Sequence, residues 1–458
     1  MLKTESMNSI TPETKALLKE LKDAGELDNY LDDETPLLER LSRDSKGNVV
    51  QSNENCQLVL REDELLKGAI RFNEFTSGRD IVKKMPWKRF SKAFSDNDLD
   101  NIITHLEINY GLKNDKYIER AVKVVAAENS YHPIRDWLNS LKWDRQERIS
   151  KVLTKYLGVE PTPLAIESLK LFMLGAISRV FNPGCKFEYM LCLVGGQGAG
   201  KSTFLRFLAM DDSWFTDDLK KLSDKDIYEH LNGHWIIEIP EMVALLKTKF
   251  VEETKSFISR QYDNYRIPYD KYSGDHKRQC VFAGTSNRIE FLPDDKSGNR
   301  RFLPIKVNAE KAEVHILDNE KESRAYFNQL WAEAMEIYRK GDFSLTLSKE
   351  MQEILYAEQE QYLPDDPMES AIVNYIEEKW PEYICAEMLF VEALGYRIED
   401  YKKWNGTVIG EIITNSFKDE YRRIGSHRFK GYGKQRAWVR IKEPEFSPVE
   451  DNDNLPFI

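Results

Sequence analysis

The feature of this sequence that most limits its fold is one glycine-rich loop, residues 195–202, which read GGQGAGKS. It fits the spacing G-x-x-x-x-G-K-[ST] of a phosphate-binding loop without a gap. An apolar run, FEYMLCLV at 187–194, precedes the loop, and TFLRFL at 203–208 begins a helical pattern. Glycines let backbone N–H groups turn inward around phosphates at the positive end of the following helix. The sequence therefore predicts a strand, a phosphate loop and a helix, in that order.

The loop also predicts individual contacts with a nucleotide. Lys201 would neutralise charge on the β- and γ-phosphates, and Ser202 would ligate Mg²⁺, so the predicted cofactors are ATP and Mg²⁺. The predicted nucleotide-binding residues are Gly195, Gly196, Gln197, Gly198, Ala199, Gly200, Lys201, Ser202 and Thr203.

Two further apolar runs, at 235–239 and 279–284, are strand candidates, and helical patterns separate them from each other and from 187–194. Such alternation is typical of a parallel sheet covered by helices, so the predicted fold class is α/β. A helix is predicted over 163–182, ending at Asn-Pro-Gly. No stretch of about 20 apolar residues exists, so no membrane span is predicted.

Polar residues at the ends of these strands complete a predicted catalytic set. In WIIEIPE at 235–241, Glu238 is a candidate Mg²⁺ ligand and Glu241 a candidate activator of the attacking water, although either could be a surface carboxylate. Asn287 follows the third strand and could bind the water or the γ-phosphate. Arg300 or Arg301 could act as an arginine finger on a neighbouring subunit, or the two could form a surface pair.

The net charge of −11 at first argues against a nucleic-acid partner, because phosphate contacts need Lys and Arg. The charge is unevenly distributed, however. Residues 1–60 and 443–458 each carry a net −5, whereas residues 418–442 hold nine basic and two acidic side chains, a net +7. An acidic chain organised in this way can still present one strongly basic face. The five cysteines form no CxxC pair, so no disulfide framework or zinc site is predicted.

The order of these motifs resembles the virulence-associated protein E family of phages and mobile elements. The resemblance is carried by GGQGAGKST, WIIEIPEM, the stretch 262–287 ending in CVFAGTSN, and FLPDDKSGNRRFLPI at 291–305. Upstream, SYHPIRDWLNSLKWDRQERI at 130–149 is also similar. The family is similar to superfamily 3 helicases, which are AAA+ ring ATPases. The resemblance implies a hexameric motor that moves along or unwinds DNA during replication.

The resemblance also implies roles for single residues. Lys201 and Ser202 match the Walker A positions, Asn287 matches the sensor, and Glu238 or Glu241 matches the Walker B acid. A hairpin before the sensor strand is implied to project into the ring channel, with its turn at 273–275. The implied DNA contacts near its tip are Lys271, His276 and Lys277.

Helical pieces at 371–376 and 408–421, followed by two strands around a turn of Gly-Tyr-Gly-Lys, predict a winged-helix module with a basic hairpin. Its predicted DNA contacts, with Tyr432 and Trp438 as aromatic neighbours, are Lys430, Lys434, Arg436 and Arg440. A basic surface packed on the acidic arm is the alternative. The tail, ending in acidic residues and LPFI, resembles the tip of bacterial single-stranded DNA-binding proteins. It would recruit host replication proteins, fold back on the basic module, or serve only as a solubilising tail.

The predicted organisation has five parts. They are an acidic, partly disordered arm (1–50), a mainly helical N-terminal domain (51–160), an AAA+ core with a helical extension (161–362), a winged-helix-like module (363–442) and an acidic tail (443–458). The predicted function is a cytoplasmic, Mg²⁺-dependent DNA helicase or translocase that forms a homo-hexamer. The first alternative is a replication initiator or interference module that uses ATP only as an assembly switch. A small-molecule kinase is disfavoured, since a kinase needs an acceptor pocket and lid in place of a basic hairpin.

Overall fold

The computed structural model describes residues 36–219, 227, 231–242, 251–265, 274–293, 299–364 and 367–441. The described residues divide into two compact units. The first comprises those within Met1–Asn287 and Arg300–Tyr356, and the second those within Arg288–Asn299 and Ala357–Ile458. The acidic tail, the first 35 residues of the predicted arm and Lys271 lie outside the described residues. No described helix is long and apolar enough to cross a bilayer.

The chain begins with a small α-helical domain that carries one β-hairpin. Its helices are α1 (Leu37–Arg40), α2 (Asn53–Glu62), α3 (Asp96–Tyr110) and α4 (Asp115–Glu128), and its hairpin is β1 (Ile70–Asn73) with β2 (Gly78–Ile81). Capping side chains fix the helix starts: Ser52, Ser95 and Asn114 each accept a hydrogen bond from the first turn. Leu41 lies in the core of this domain, so residues 36–50, assigned to the arm by sequence, pack on it.

The next three helices, α5 (Pro133–Ser140), α6 (Val152–Leu157) and α7 (Pro163–Phe181), share a core with the central sheet. Residues from about 134 onward therefore pack with the sheet, although the sequence boundary placed 51–160 in the N-terminal domain. Helix α7 starts after the cap Thr162 with proline in its first turn, and it is buried along most of its length. It confirms the helix predicted at 163–182.

The central sheet consists of five parallel strands. They are β3 (Met190–Val194), β4 (Phe215–Thr216), β5 (Ile236–Ile239), β8 (Val281–Ser286) and β9 (Phe302–Lys306), in the spatial order β4-β5-β8-β3-β9. Strands β3, β5 and β8 confirm the predicted runs and the α/β class, with bounds shifted by one to three residues. The sequence predicts neither β4 nor β9, although FLPI, which opens β9, belongs to one of the motifs. Because all five strands run in one direction, their carboxyl ends meet at one edge.

Helices α8 (Lys201–Leu208), α9 (Val251–Ser259), α10 (Glu320–Lys340) and α11 (Lys349–Gln359) complete this part of the chain. A tryptophan pair fastens α10 to the sheet layer: the rings of Trp235 and Trp331 are 4.5 Å apart. Both indoles are buried, and their N–H groups donate to Ala176 O at 3.0 Å and to Leu208 O at 2.8 Å. A buried indole with its donor satisfied contributes apolar burial without leaving a polar group unpaired.

Between α9 and β8 lies the antiparallel pair β6 (Tyr262–Tyr265) and β7 (Gly274–Lys277). The predicted hairpin is therefore present, but its described strands differ from the prediction. Gly274 and Asp275, predicted in the turn, belong to β7 and pair with Tyr265 and Asn264. The physical reason is that the Asn264 amide donates to the Asp275 carboxylate across the ladder at 2.7 Å.

From residue 367 to 441, the second unit carries the α-helices α12 (Pro367–Lys379), α13 (Ala386–Glu392) and α14 (Lys403–Ser416), together with a small sheet. The strands β10 (Tyr383–Ile384), β11 (Tyr421–Phe429) and β12 (Gly433–Arg440) form an antiparallel sheet in the order β10-β12-β11. Tyr421, predicted as helical, opens β11 because its buried ring joins the core between sheet and helices. The two long strands meet at a turn over 430–432, next to the predicted position.

A left-handed helix end gives a stability prediction. Gly158, which ends α6, has φ +59°, and a Cβ there would overlap the backbone of Asn308. Gly341, which ends α10, has φ +72° with open space around it. We expect Gly158→Ala to lower the free energy of unfolding by about 3 kcal/mol and Gly341→Ala by about 1 kcal/mol, because only the first adds a backbone clash to the conformational cost. Chemical unfolding of both variants checks this, and equal losses would contradict it.

Candidate functional site

The loop between β3 and α8 lies at the carboxyl edge of the sheet. Gly198 and Gly200 adopt φ values of +79° and +75°, which side chains with a Cβ rarely tolerate, and Gly200 caps α8. The N–H of Gly195 donates to Ser286 O at 3.1 Å. A Cβ at Gly195 would lie 2.6 Å from Val307 O, so glycine is required there by close packing. The structure thus places the predicted loop at the start of a helix, with Gly198 and Gly200 in the left-handed region and Gly195 in close packing.

Lys201 is held at the centre of this loop. Its ammonium donates to the carbonyls of Gly195 and Gly196, both at 2.7 Å, and to the side-chain oxygen of Asn287 at 3.0 Å. Only 6% of the residue is exposed. Burial lowers its pKa, and the charge of Glu238 opposes that shift. The lysine is therefore a buried donor surrounded by oxygen acceptors. The oxygen atoms of an anionic ligand could replace those acceptors.

Glu238 lies on β5 and points into the same edge. Its Oε1 accepts hydrogen bonds from Ser202 Oγ at 2.7 Å and from Thr285 Oγ1 at 2.6 Å. Its Oε2 is buried and has no hydrogen-bond partner among the described residues. Burial raises the pKa of this carboxyl, and the nearby charge of Asp217 adds to the shift, while the two hydroxyls and Lys201 oppose it. An unsatisfied buried carboxylate oxygen is costly unless a cation or donor completes it.

The second predicted acid is placed differently. Glu241 lies two residues beyond the end of β5, it is exposed, and its φ of +48° puts a non-glycine residue in the left-handed region. A backbone outlier of this kind persists only where the surrounding structure imposes it, and such outliers cluster at active sites. The structure brings Glu238 into contact with Ser202 but gives no such contact for Glu241, so the two acids occupy distinct environments.

Asn287 reaches the loop because of strand register. In the parallel pair of β3 and β8, Val194 lies opposite Ser286, so the residues that follow each strand are neighbours. The side chain of Asn287 accepts from Lys201 as described above. The predicted sensor residue and the predicted loop lysine are therefore in direct contact, which no local sequence pattern could have established.

The two candidate finger arginines lie at the opposite edge of the sheet. Phe302, which follows them, pairs with Met190 at the amino end of β3, whereas the loop follows the carboxyl end of that strand. A five-residue strand spans about 17 Å. Arg301 is mostly buried, donates to Ser259 Oγ at 2.9 Å and lies 3.7 Å from Glu188, whereas Arg300 is 52% exposed and lies 3.9 Å from Glu188. The described chain therefore does not bring either arginine to its own loop.

One acidic residue near the site was missed by sequence reasoning. Asp217 immediately follows β4, the strand beside β5, and its charge raises the pKa of Glu238. Strand β4 is only two residues long, so no hydropathy pattern announces it. The Asp-Asp pair at 217–218, after Trp-Phe-Thr at 214–216, is too short a signal to identify a strand end.

The predicted DNA-contacting residues of the hairpin are partly accessible. Lys277 is exposed and His276 is half-buried. The next residue, Arg278, is buried in a bidentate ion pair with Asp263, at 2.6 Å and 2.8 Å. This pair fixes the base of the hairpin, since a planar guanidinium and a carboxylate match in two parallel bonds. A recess of about 180 Å³ lies beside it, lined in part by His276, Lys277 and Gln279.

The exposed basic residues of the second unit differ in part from those predicted by the sequence. Lys430, Lys434 and Arg436 are exposed as predicted. Arg440 is only half-exposed, because its guanidinium donates to Trp380 O at 2.8 Å and lies 5.8 Å from the Trp380 ring. Two further exposed arginines of β11, Arg423 and Arg428, lie on the face of Lys434 because they pair with Trp438 and Lys434, whereas the exposed Arg422 pairs with Val439 on the other face.

The predicted aromatic partners of this face are corrected by the structure. Trp438 is 6% exposed and lies in the core, where its ring packs on Gly410 of α14. It is buried because it faces the helices across the sheet, with Ile384 beside it in β10. Tyr432 is half-buried, and its hydroxyl donates to Glu392 at 3.0 Å. Trp438 is therefore a core residue and not a surface for stacking bases.

Within the described ranges, no group of three or more His, Cys, Asp or Glu side chains is arranged to hold a metal ion. The pair formed by Ser202 and Glu238 nevertheless suits Mg²⁺, which prefers few protein oxygens and completes its shell with water and phosphate. The orphaned Oε2 of Glu238 is a buried hard-oxygen donor next to the Ser202 hydroxyl. The donor set present therefore fits the predicted metal.

The raised pKa of Glu238 gives a testable pH dependence. The unfolded carboxyl ionises near 4.5, but the folded one keeps its proton to higher pH, so its ionisation costs stability as pH rises above that value. In Glu238→Gln this cost is absent. We expect the melting temperature of the variant to gain on that of the wild type as pH rises from about 4.5 toward neutrality without nucleotide. Glu167→Gln, a change at a half-exposed position on α7, is the control, and a constant difference for Glu238→Gln would contradict the expectation.

Comparison with known proteins gives one family and several remote structures. Among solved structures, "The A form apo structure of NrS-1 C terminal region-CTR" is 14% identical, with 81% of this chain and 96% of that chain covered and a TM-score of 0.45. "The apo structure of NrS-1 C terminal region (305-718)" is 13% identical, with 83% and 100% covered and a TM-score of 0.43. No curated protein sequence matches the chain. Residues 138–364, which contain the sheet, the loop and both candidate arginines, match the family described as the virulence-associated protein E-like domain.

Proposed function

We propose that this protein is an ATP-dependent DNA helicase or translocase that acts in the replication of a phage or mobile element. One observation carries the proposal: Lys201, Ser202, Glu238 and Asn287, which lie up to 86 residues apart, converge by direct hydrogen bonds at one sheet edge. The order β4-β5-β8-β3-β9, with the loop after a central strand, supports an AAA+ core. The match of residues 138–364 to the virulence-associated protein E-like domain supports a replication role.

Nucleotide binding would use the loop and the start of α8. The N–H groups of the first turn of α8 point along the helix axis toward the loop, where they favour negative charge. Lys201 is already held by Gly195, Gly196 and Asn287, so phosphate oxygens would replace carbonyl oxygens as its acceptors. That exchange neutralises the buried ammonium, which compensates the desolvation that lowers its pKa.

Ser202 and Glu238 would hold Mg²⁺. When bound, the ion would shield phosphate charge and orient the β- and γ-phosphoryl oxygens. Glu238 accepts from the Ser202 hydroxyl and fixes the rotamer of that side chain, and Thr285 fixes Glu238 in turn. This two-hydroxyl clamp positions the carboxylate before any ligand arrives, which is the kind of support that metal sites require.

Glu241 and Asn287 would handle the attacking water. Glu241 is the more suitable proton acceptor, because it is exposed while Glu238 already accepts two hydrogen bonds. Asn287 lies at the lysine, where an amide can orient water or the γ-phosphate. The assignment gives the two acids separate tasks, consistent with their separate environments.

The finger would come from a neighbouring subunit of a homo-hexameric ring. Arg300 is the better choice, because it is half-exposed and its ion pair within the described residues is a long contact to Glu188, whereas Arg301 donates to Ser259. An arginine at the amino edge of one sheet reaches a phosphate only on another copy, so this placement supports a shared site. An arginine finger contributes about 10³–10⁵ to turnover where it has been measured.

DNA would be held by the hairpin and by the second unit. The element order α12-β10-α13-α14-β11-β12 and the strand order β10-β12-β11 support a winged-helix-like module. Its wing carries the exposed cations Lys430, Lys434 and Arg436, and Lys277 on β7 would add contacts near the sheet. Contacts of lysine and arginine to phosphates are independent of sequence, as a translocating protein requires.

The first test is Lys201→Ala in a strand-separation assay on forked DNA with 3′ and 5′ tails, ATP and Mg²⁺. We expect DNA-stimulated ATP hydrolysis and unwinding by the wild type and neither by the variant, because the variant removes the cation that neutralises the phosphates. Lys170→Ala, which changes a half-exposed lysine on α7, should behave as the wild type. Wild-type turnover in Lys201→Ala would overturn the assignment, and ATP binding without hydrolysis in the wild type would favour the assembly switch.

The shared site has its own test. We expect Arg300→Ala to reduce ATP turnover by about 10³-fold with little change in melting temperature, and Arg301→Ala to lower the melting temperature instead. Mixing Arg300→Ala with Lys201→Ala subunits should restore part of the turnover, because some interfaces then combine an intact lysine with an intact arginine. No recovery on mixing, with rings formed normally, would contradict a finger acting between subunits.

A further inference from the structure

The N-terminal domain carries a basic, aromatic surface that the proposed ATP site and DNA contacts leave unused. Residues 83–92, KKMPWKRFSK, lie between β2 and α3 and hold five basic and no acidic side chains. We call this segment the Phe90 loop. Phe90 is 88% exposed, the largest value among the exposed large apolar side chains of the described chain. A ligand that packs on this ring would therefore bury apolar surface beside cations.

The Phe90 loop is held rigidly from beneath. The carboxylate of Asp98 at the start of α3 accepts from Trp87 Nε1 at 2.7 Å and from Arg89 Nε at 2.8 Å. The same guanidinium donates to Ile81 O at 3.2 Å and to Lys92 O at 3.0 Å. Because Trp87 and Arg89 are bound to Asp98, the residues that follow each of them, Lys88 and Phe90, face the solvent.

The carboxylate of Asp98, which anchors the loop, is stabilised by hydrogen bonds although it is buried. Asp98 is 1% exposed, and burial by itself would raise the pKa of its carboxyl. Hydrogen bonds from Trp87, Arg89 and Ser95 outweigh that penalty, so the pKa lies below its ordinary value and the anchor stays ionised at neutral pH. The Phe90 loop therefore does not depend on its ligand for its conformation, and binding costs little ordering of the backbone.

The lysines of the loop are available to an anionic partner. Lys83, Lys84, Lys88 and Lys92 are exposed, and the described residues provide none of them with a carboxylate in an ion pair. The ammonium of Lys88 lies 4.9 Å from the ring of Phe90, so one cation and one aromatic face form a single unit. Such a unit matches a nucleotide, which offers a phosphate and a base a few ångströms apart.

A recess of about 230 Å³ lies next to the ring of Phe90. Its lining includes the hydroxyl of Ser91 and the amide of Asn97 beside the aromatic face, whereas the Ser95 hydroxyl is held by Asp98. Hydrogen-bonding groups next to a stacking ring suit the edge of a nucleobase better than an aliphatic side chain.

We propose that the Phe90 loop is a binding site for single-stranded DNA, in which Phe90 stacks on a base while Lys88 and Lys92 contact phosphates. This site is made of other residues than the DNA contacts proposed above, and it rests on the proposed function only in that DNA is the ligand. It would hold a strand on the N-terminal domain without any need for ATP. Exposed aromatic rings between cations are the arrangement by which proteins hold single strands without reading their sequence.

The test measures binding of the full chain to fluorescently labelled oligo(dT) of about 20 nucleotides, by anisotropy, without nucleotide and over a range of salt concentrations. We expect Phe90→Ala to weaken binding about tenfold, because it removes one stacking contact. Lys88→Gln with Lys92→Gln should reduce the slope of log K against log salt by about 1.4, since each single-strand phosphate contact contributes about 0.7. Both changes lie on exposed side chains, so folding should be unaffected.

Matched controls lie in the same domain. Ile108→Ala removes a 75% exposed apolar side chain from α3, and Lys113→Gln with Lys123→Gln removes two exposed lysines that are paired with carboxylates. These variants should bind oligo(dT) as the wild type does. Wild-type affinity and salt slope in the Phe90 loop variants would overturn the proposal.

Two other outcomes would also overturn it. If Phe90→Ala changes self-association in sedimentation but leaves DNA affinity unchanged, the loop is a contact between copies. If poly-glutamate displaces oligo(dT) as well as unlabelled oligo(dT) does, the loop binds acidic peptide. Failure of the proposed ATPase function is distinguishable, because Lys201→Ala should retain loop-dependent binding of oligo(dT), and ATP turnover is measured separately.

Discussion

Glu238 is held at the carboxyl edge of the sheet by hydroxyls from two directions, Ser202 on the loop helix and Thr285 on the neighbouring strand. Burying a carboxylate costs free energy unless both of its oxygens are hydrogen-bonded or bound to a cation. Oε2 of Glu238 has no such partner among the described residues. The other groups of the candidate site lie around this carboxylate. The lysine, the asparagine and the glycine turns all lie within the region where a phosphate and a cation would satisfy the unpaired groups.

The parallel sheet is what makes that convergence possible. Five strands running in one direction place every strand end at a common edge, so residues from distant parts of the chain meet there without any local signal. The opposite edge receives the segments that enter the strands, including Arg300 and Arg301. Because all strands run in one direction, the groups that would bind a nucleotide lie at one edge of the sheet, and those that would reach another copy lie at the other.

How much could be predicted from sequence differs from group to group for physical reasons. The loop was predictable residue by residue, because its chemistry is local and its spacing is fixed by backbone geometry. The choice between Glu238 and Glu241 was not predictable, since it depends on which side chain faces Ser202 across two elements. Trp438 was misread because it shares a strand face with the exposed Lys434 and Arg436, and only the packing of α14 on its end of that face buries the ring. Asp217 and the Phe90 loop were missed, the first for lack of a detectable strand and the second because its charge was averaged over a longer acidic stretch.

Glu188 lies just before β3 and within 4 Å of both Arg300 and Arg301, while the other end of the same strand leads directly into the phosphate loop. Strand β3 is buried at all five positions and hydrogen-bonded on both sides, so it cannot stretch or slide independently of the sheet. In a ring built as proposed, the segments at its two ends would belong to two different nucleotide sites. Any displacement of the arginine end would then move the sheet as one body, the phosphate loop included.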